Sequence, residues 1–89
     1  MEQITGKVTK VIDGDTFVVN ITFKSPLNNY EYNDEERIRA NFSTPELSDP
    51  GGQKAKANLT KMILNKNVRI QVAARDKFGR VIANKVTLV

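Results

Sequence analysis

"GGQKAKANLTKMILNKN", residues 51–67, decides how the rest of the chain is read. Ala55, Leu59, Met62 and Ile63 fall at i, i+4, i+7 and i+8, which predicts an amphipathic helix with lysines on its outer side. On both sides of it the period drops to two. Upstream, "EERIRANF" (35–42) sets Ile38, Ala40 and Phe42 against Arg37, Arg39 and Asn41. Before that, "TFVVNITF" (16–23) sets Phe17, Val19, Ile21 and Phe23 against Val18, Asn20 and Thr22. Downstream, "NVRIQVAA" (67–74) alternates through Val68, Ile70, Val72 and Ala74. The outermost stretches, "ITGKVTKVI" (4–12) and "VIANKVTLV" (81–89), are rich in β-branched residues and read as strands.

The connections carry turn signals: "DGD" (13–15), the long "KSPLNNYEYND" (24–34), and "RDKFGR" (75–80) with Gly79. The order β-β-β-α-β-β therefore predicts a mainly β domain with one helix (α+β), a five-stranded OB-fold barrel over residues 1–89. Phe17, Phe23 and Phe42 are expected in its core. Such a barrel is a frequent platform for oligonucleotides, but a fold alone assigns no function.

With 39% hydrophobic and 27% charged residues, the chain has the composition of a globular domain. No apolar run reaches the length of a membrane span, and no signal-peptide stretch opens the chain. The expected setting is cytoplasmic, away from membranes. Without cysteine or histidine, disulfides, thiolate chemistry, a histidine base and the common zinc sites are excluded. Chemistry is left to carboxylates, arginines and a hard cation. The net charge of +4 divides unevenly: residues 1–50 carry −4 and residues 51–89 carry +8. A basic half suits a polyanionic partner, and equally suits a small protein kept in solution by its lysines.

Three short stretches offer chemistry, each beside a plainer reading. In "VIDGDTFVV", Asp13 and Asp15 flank Gly14, so two carboxylates can approach one cation, or form an ordinary Asp-Gly turn. In "STPE", Thr44, Pro45 and Glu46 make a good helix start as well as a candidate site. "RDKFGR" is a β-turn with basic flanks.

Taken together and in this order, "IDGDT", "TPE" and "DKFGR", joined by the lysine-rich helix segment, resemble the staphylococcal (micrococcal) nuclease-like domains over nearly the whole chain. The resemblance implies an OB barrel and calcium-dependent hydrolysis of DNA and RNA phosphodiesters. It implies that Asp15 is a metal ligand, that Thr44 offers its carbonyl to the metal, and that Glu46 is the general base. Arg80 then matches one of two arginines that grip the phosphate. The chemistry is consistent: hard cations take oxygen ligands, a carboxylate draws a proton from water, and arginine offsets charge on phosphoryl oxygens.

The chain also departs from that pattern. Ser43 stands where the family places its second metal Asp, bringing an oxygen but no charge. Arg39 lies four residues before Ser43, whereas the family arginine lies five before that Asp; Ile38 occupies the fifth position. Arg39, Asn41 and Ser43 share one face of a regular strand, so Arg39 is either the second phosphate contact or redirected by an irregularity. The family's C-terminal helices have no counterpart before Val89. The implied function is binding of single-stranded DNA or RNA, with a weakened calcium site and weak or absent cleavage. Lys54, Lys56, Arg75 and Lys77 are the further candidate nucleic-acid contacts. A competent calcium-dependent nuclease is one alternative. A protein-interaction OB domain using "SPLNNYEYNDEE" is another.

Overall fold

The computed structural model describes residues 2–40 and 51–89. Its elements are β1 (Glu2–Val11), β2 (Thr16–Lys24), β3 (Glu35–Ala40), α1 (Gly52–Ile63), β4 (Asn67–Arg75) and β5 (Val81–Leu88). The strands close into a barrel in the order β1-β2-β3-β5-β4, with β4 returning to β1. All neighbours are antiparallel except β3 and β5, which run parallel with Ile38 opposite Val81 and Arg39 opposite Ile82. The expected OB-like barrel with one helix between the third and fourth strands is what the chain forms.

Alternation fills the interior. Ile4 and Val8 of β1, Phe17 and Val19 of β2, Ile38 of β3, Val68 and Ile70 of β4 and Val81 of β5 are fully buried. Leu59 and Ile63 of α1 join this core from one end. Burying a side chain of this size stabilises the fold by ~1.5–3 kcal/mol, so the barrel wall rests mainly on these positions. Among the described residues no helix is long and apolar enough to cross a membrane.

Two bulges shape the β1–β2 pair, and one corrects an expectation. Thr5 pairs with Phe23 and Gly6 with Ile21, so Thr22 is an extra residue on β2. That extra residue puts Phe23 opposite the outward-facing Thr5, and its ring is 51% exposed rather than in the core. Gly6 is required at the same place: a Cβ there would overlap the Asn20 carbonyl oxygen and the Val19 side chain. The other bulge, at Thr9, lies next to Val8, whose backbone pairs with the helix exit through Val8 N–H to Lys66 O (2.9 Å) and Asn65 N–H to Val8 O (2.9 Å).

Helix α1 ends at Ile63, short of the expected residue 67, because Leu64 is extended and Asn65 adopts φ 62°. Met62, expected on the apolar stripe, is exposed along an open groove with Leu59, Ile63, Val86 and Leu88. The β2–β3 connection is not a free extension either. Tyr32 is buried and donates its hydroxyl to Glu2 Oε2 (2.7 Å), and the Asn28 side chain bonds both backbone groups of Gln3 (2.7 and 2.8 Å). Tyr30 and Leu27 of this loop stay exposed. Phe42, Ser43, Thr44 and Glu46 lie outside the described residues.

Candidate functional site

The turn after β1 is built by Asp13. Its Oδ1 accepts the Asp15 backbone N–H at 3.0 Å, an Asx turn that bends the chain into β2. Asp15 is thereby fixed at the start of β2, with Oδ1 accepting the Thr16 hydroxyl at 2.9 Å. Its carbonyl accepts the Ala40 N–H at 2.8 Å, tying it to the end of β3. Thr16 pairs with Arg39, so the neighbouring strand delivers a guanidinium to the carboxylate: Arg39 Nε lies 3.8 Å from Asp15 Oδ2.

That contact is loose and wet. The Arg39 side chain is 48% exposed and that of Asp15 is 19% exposed. Burial, together with a hydrogen bond to Asp13 and repulsion by its charge, raises the Asp15 carboxyl above its ordinary 3.8; the Thr16 hydroxyl and Arg39 only partly offset this. Burial pushes Asp13 upward too, but bonds from Asp15 and Thr16 outweigh it and hold Asp13 below the ordinary value. Two carboxyls sharing one turn, one of them reluctant to ionise, form a place where positive charge is favoured. Hard oxygen donors suit a hard cation such as calcium. Among the described residues no group of three or more His, Cys, Asp or Glu side chains converges, so Asp13 and Asp15 are the carboxylates available there.

On β3 the period of two turns Glu36, Ile38 and Ala40 inward and Glu35, Arg37 and Arg39 outward. Arg39 therefore faces the same side as Asp15, despite its altered spacing in the sequence. The parallel pairing with β5 sets Arg80, which precedes Val81, beside Arg37. Arg80 is held by Asp76: Oδ2 accepts Nε at 2.7 Å, and Oδ1 accepts the backbone N–H groups of Arg80 (2.8 Å) and Phe78 (2.9 Å). Those bonds outweigh an upward push from desolvation and keep Asp76 below its ordinary value. Gly79 closes the turn at φ 85°, in the left-handed region that favours glycine. Phe78 is 73% exposed, with Lys77 Nζ 5.3 Å and Arg80 Cζ 5.6 Å from its ring centre.

Asp15 and Arg39 are thus in contact, and Arg80 sits on the strand beside β3. The other candidates are dispersed. Lys54 and Lys56 stand on α1, and Lys77 on the β4–β5 turn. Arg75 points elsewhere and is committed to the protein. Its guanidinium donates to both Glu36 oxygens (3.1 and 2.8 Å), to Gly79 O (2.9 Å) and to Glu31 O (2.8 Å), while lying 5.1 Å over the Tyr32 ring. A guanidinium so bonded is a structural tie rather than a phosphate contact. Ser43, Thr44 and Glu46 fall outside the described residues. Two residues of this region were not singled out from sequence, Arg37 and Asp76. Strand alternation signalled the first, and the Asx position of "DKFGR" signalled the second.

No protein-family model matches the chain. Over 83 residues it is 32% identical to an uncharacterized endonuclease of Haemophilus influenzae, a match covering 92% of this chain and 42% of that protein. The chain spans less than half the length of this curated relative. Along most of its own length, then, this small barrel is similar to part of a protein described as an endonuclease.

Proposed function

We propose that the chain is a nucleic-acid-binding domain of the staphylococcal nuclease type, with a calcium site weakened at Ser43 and phosphodiester hydrolysis that is weak or absent. The observation that carries this reading is the meeting of Asp15 and Arg39 across two strands of an OB-like barrel. A carboxylate for a cation and a guanidinium for a phosphate stand side by side on an open face. The likeness to an endonuclease-named protein points the same way.

In this reading Asp15, with Asp13 behind it, gathers calcium together with Thr44 and Ser43. Bound there, the ion would supply charge that offsets the phosphate. Arg39 and Arg80 orient the phosphate, and Glu46 is the group that takes a proton from water. Ser43 contributes an oxygen without charge; losing one charge-assisted contact costs ~1.5–3 kcal/mol, or ~10- to 150-fold in affinity for the ion. Lys54, Lys56 and Lys77 add sequence-independent attraction for single-stranded DNA or RNA. The relative's description as an endonuclease favours a second reading, a nuclease that still cuts; in that reading too we take the ion to be calcium.

A calcium titration followed by amide NMR tests the proposal, run on the native chain and on Ser43→Asp. The native chain is expected to respond near Asp13 and Asp15 only at high calcium, and Ser43→Asp at lower calcium with a gain in cleavage. Efficient calcium-dependent cleavage by the native chain, abolished in Glu46→Ala, would establish the second reading instead. No calcium response in either protein would remove the metal site from both.

A further inference from the structure

The β3–β5 seam carries more than the Asp15–Arg39 pair. Arg37 lies on the outer face of β3, one outward position from Arg39, or ~6.6 Å along the strand. With Phe78, Gly79 and Arg80 it lines a concavity of about 400 Å³. The ion pairs among the described residues engage Arg39, Arg75 and Arg80, and none engages Arg37. Asp76 takes Arg80 Nε and the backbone of the turn, so that side chain is held in place by one edge. Nothing stands within 4 Å of where a Gly79 Cβ would be, so the backbone borders open space.

Charge divides this face into two unlike halves. The Arg37–Arg80 half has Lys77 nearby, and Asp76, the acid that borders it among the described residues, is already engaged. The Arg39 half ends at Asp15, which repels a phosphate unless a cation covers it. On the other side of Arg37 the next outward residue of β3 is Glu35, which limits the favourable stretch.

We propose that the Arg37 side of this concavity is a second phosphate-anchoring position for single-stranded oligonucleotides, one step along β3 from the Asp15–Arg39 pair, bordered by the Arg80 guanidinium that the two positions share, and independent of any bound cation. It rests on the reading of the domain as a nucleic-acid binder and adds to it a foothold that loss of metal does not remove. Arg37 and Arg39 are spaced so that neighbouring phosphates of an extended strand can each meet one guanidinium. The exposed Phe78 ring borders the concavity and keeps the Arg80 guanidinium against its face.

The test is binding of a short oligothymidylate in chelator, followed across a salt series. The native chain is expected to bind, with affinity falling as salt rises. Arg37→Gln should weaken binding about tenfold, as for one charge-assisted contact, and flatten the salt slope by ~0.7. Glu35→Gln should tighten it. Arg69→Gln, which removes an exposed arginine from β4, is the control for net charge. Equal losses in Arg37→Gln and Arg69→Gln would overturn the subsite while leaving nucleic-acid binding in place, and so would binding that appears only with calcium. No binding with or without calcium would defeat the functional reading itself, and the subsite with it.

Discussion

Arg75–Glu36 and Arg39–Asp15 join the same two functional groups under opposite conditions. Glu36 is buried, and Arg75 meets it with two nitrogens, the closer at 2.8 Å. The other two N–H groups of those terminal nitrogens go to two backbone carbonyls, and the Asn33 N–H also binds Glu36 Oε2 at 2.7 Å. Both Glu36 oxygens and both terminal nitrogens of Arg75 have protein partners. Arg39 approaches Asp15 with one nitrogen at 3.8 Å, half exposed. Burial acts on both carboxyls, yet Glu36 is held below its ordinary value by Arg75 and the Asn33 N–H, while Asp15 is left above its own. A saturated pair is a tie; an unsaturated pair retains capacity for something else.

The sharpest way to break this contrast is Arg75→Ala. It strands a buried carboxylate and is expected to cost about 3 kcal/mol of stability, measured by chemical denaturation. A loss no larger than that of Arg39→Ala would erase the distinction. The Glu36 pair also predicts an acid limb. Because its folded value is lowered, its stabilisation is complete above the ordinary 4.5 and is lost as pH falls through the lowered value. Glu36→Gln should remove that part of the pH dependence.

Arg39→Ala should cost under about 1 kcal/mol of stability, since the contact is exposed. Its effect belongs in oligonucleotide binding, about tenfold at saturating calcium. The smallest change has the opposite sign. Asp15 is raised, so its contribution is favourable below its ordinary 3.8 and is lost as pH rises through the folded value. Asp15→Asn, which keeps an acceptor for Thr16, is expected to add about 0.5 kcal/mol at neutral pH. That gain should shrink in acid, and the calcium response should vanish. A loss of stability at neutral pH would count Asp15 among the structural ties.

Much of the barrel was readable because its signals are local. "EERIRA" puts Ile38 and Ala40 in and Arg37 and Arg39 out, and Leu59 with Ile63 marks the buried side of the helix. Phe23 was misjudged because the bulge at Thr22 depends on which residue of β1 it pairs with, and alternation along one strand cannot reveal that. Tyr32 sits in a polar loop, and its bond to Glu2 and its place under Arg75, both distant in sequence, help hold it in the core. The same holds for Arg75: its partner Glu36 lies 39 positions away, so the turn motif alone suggested a surface cation. For the site, the "DGDT" turn placed Asp15, while the contact with Arg39 required the β2–β3 register.

Among the described residues, β3 and β5 pair in parallel through Ile38, Arg39 and Ala40, whereas every other seam of the barrel is antiparallel. Parallel bonds are slanted and slightly less stable per residue than antiparallel ones, and Arg37 and Arg80 stand on either side of this seam. Local opening there should be among the cheaper fluctuations of the sheet, visible as faster amide hydrogen exchange at Ile82 and Ala83. An oligonucleotide spanning Arg37 and Arg80 would rivet the two edges, slowing that exchange in proportion to its occupancy.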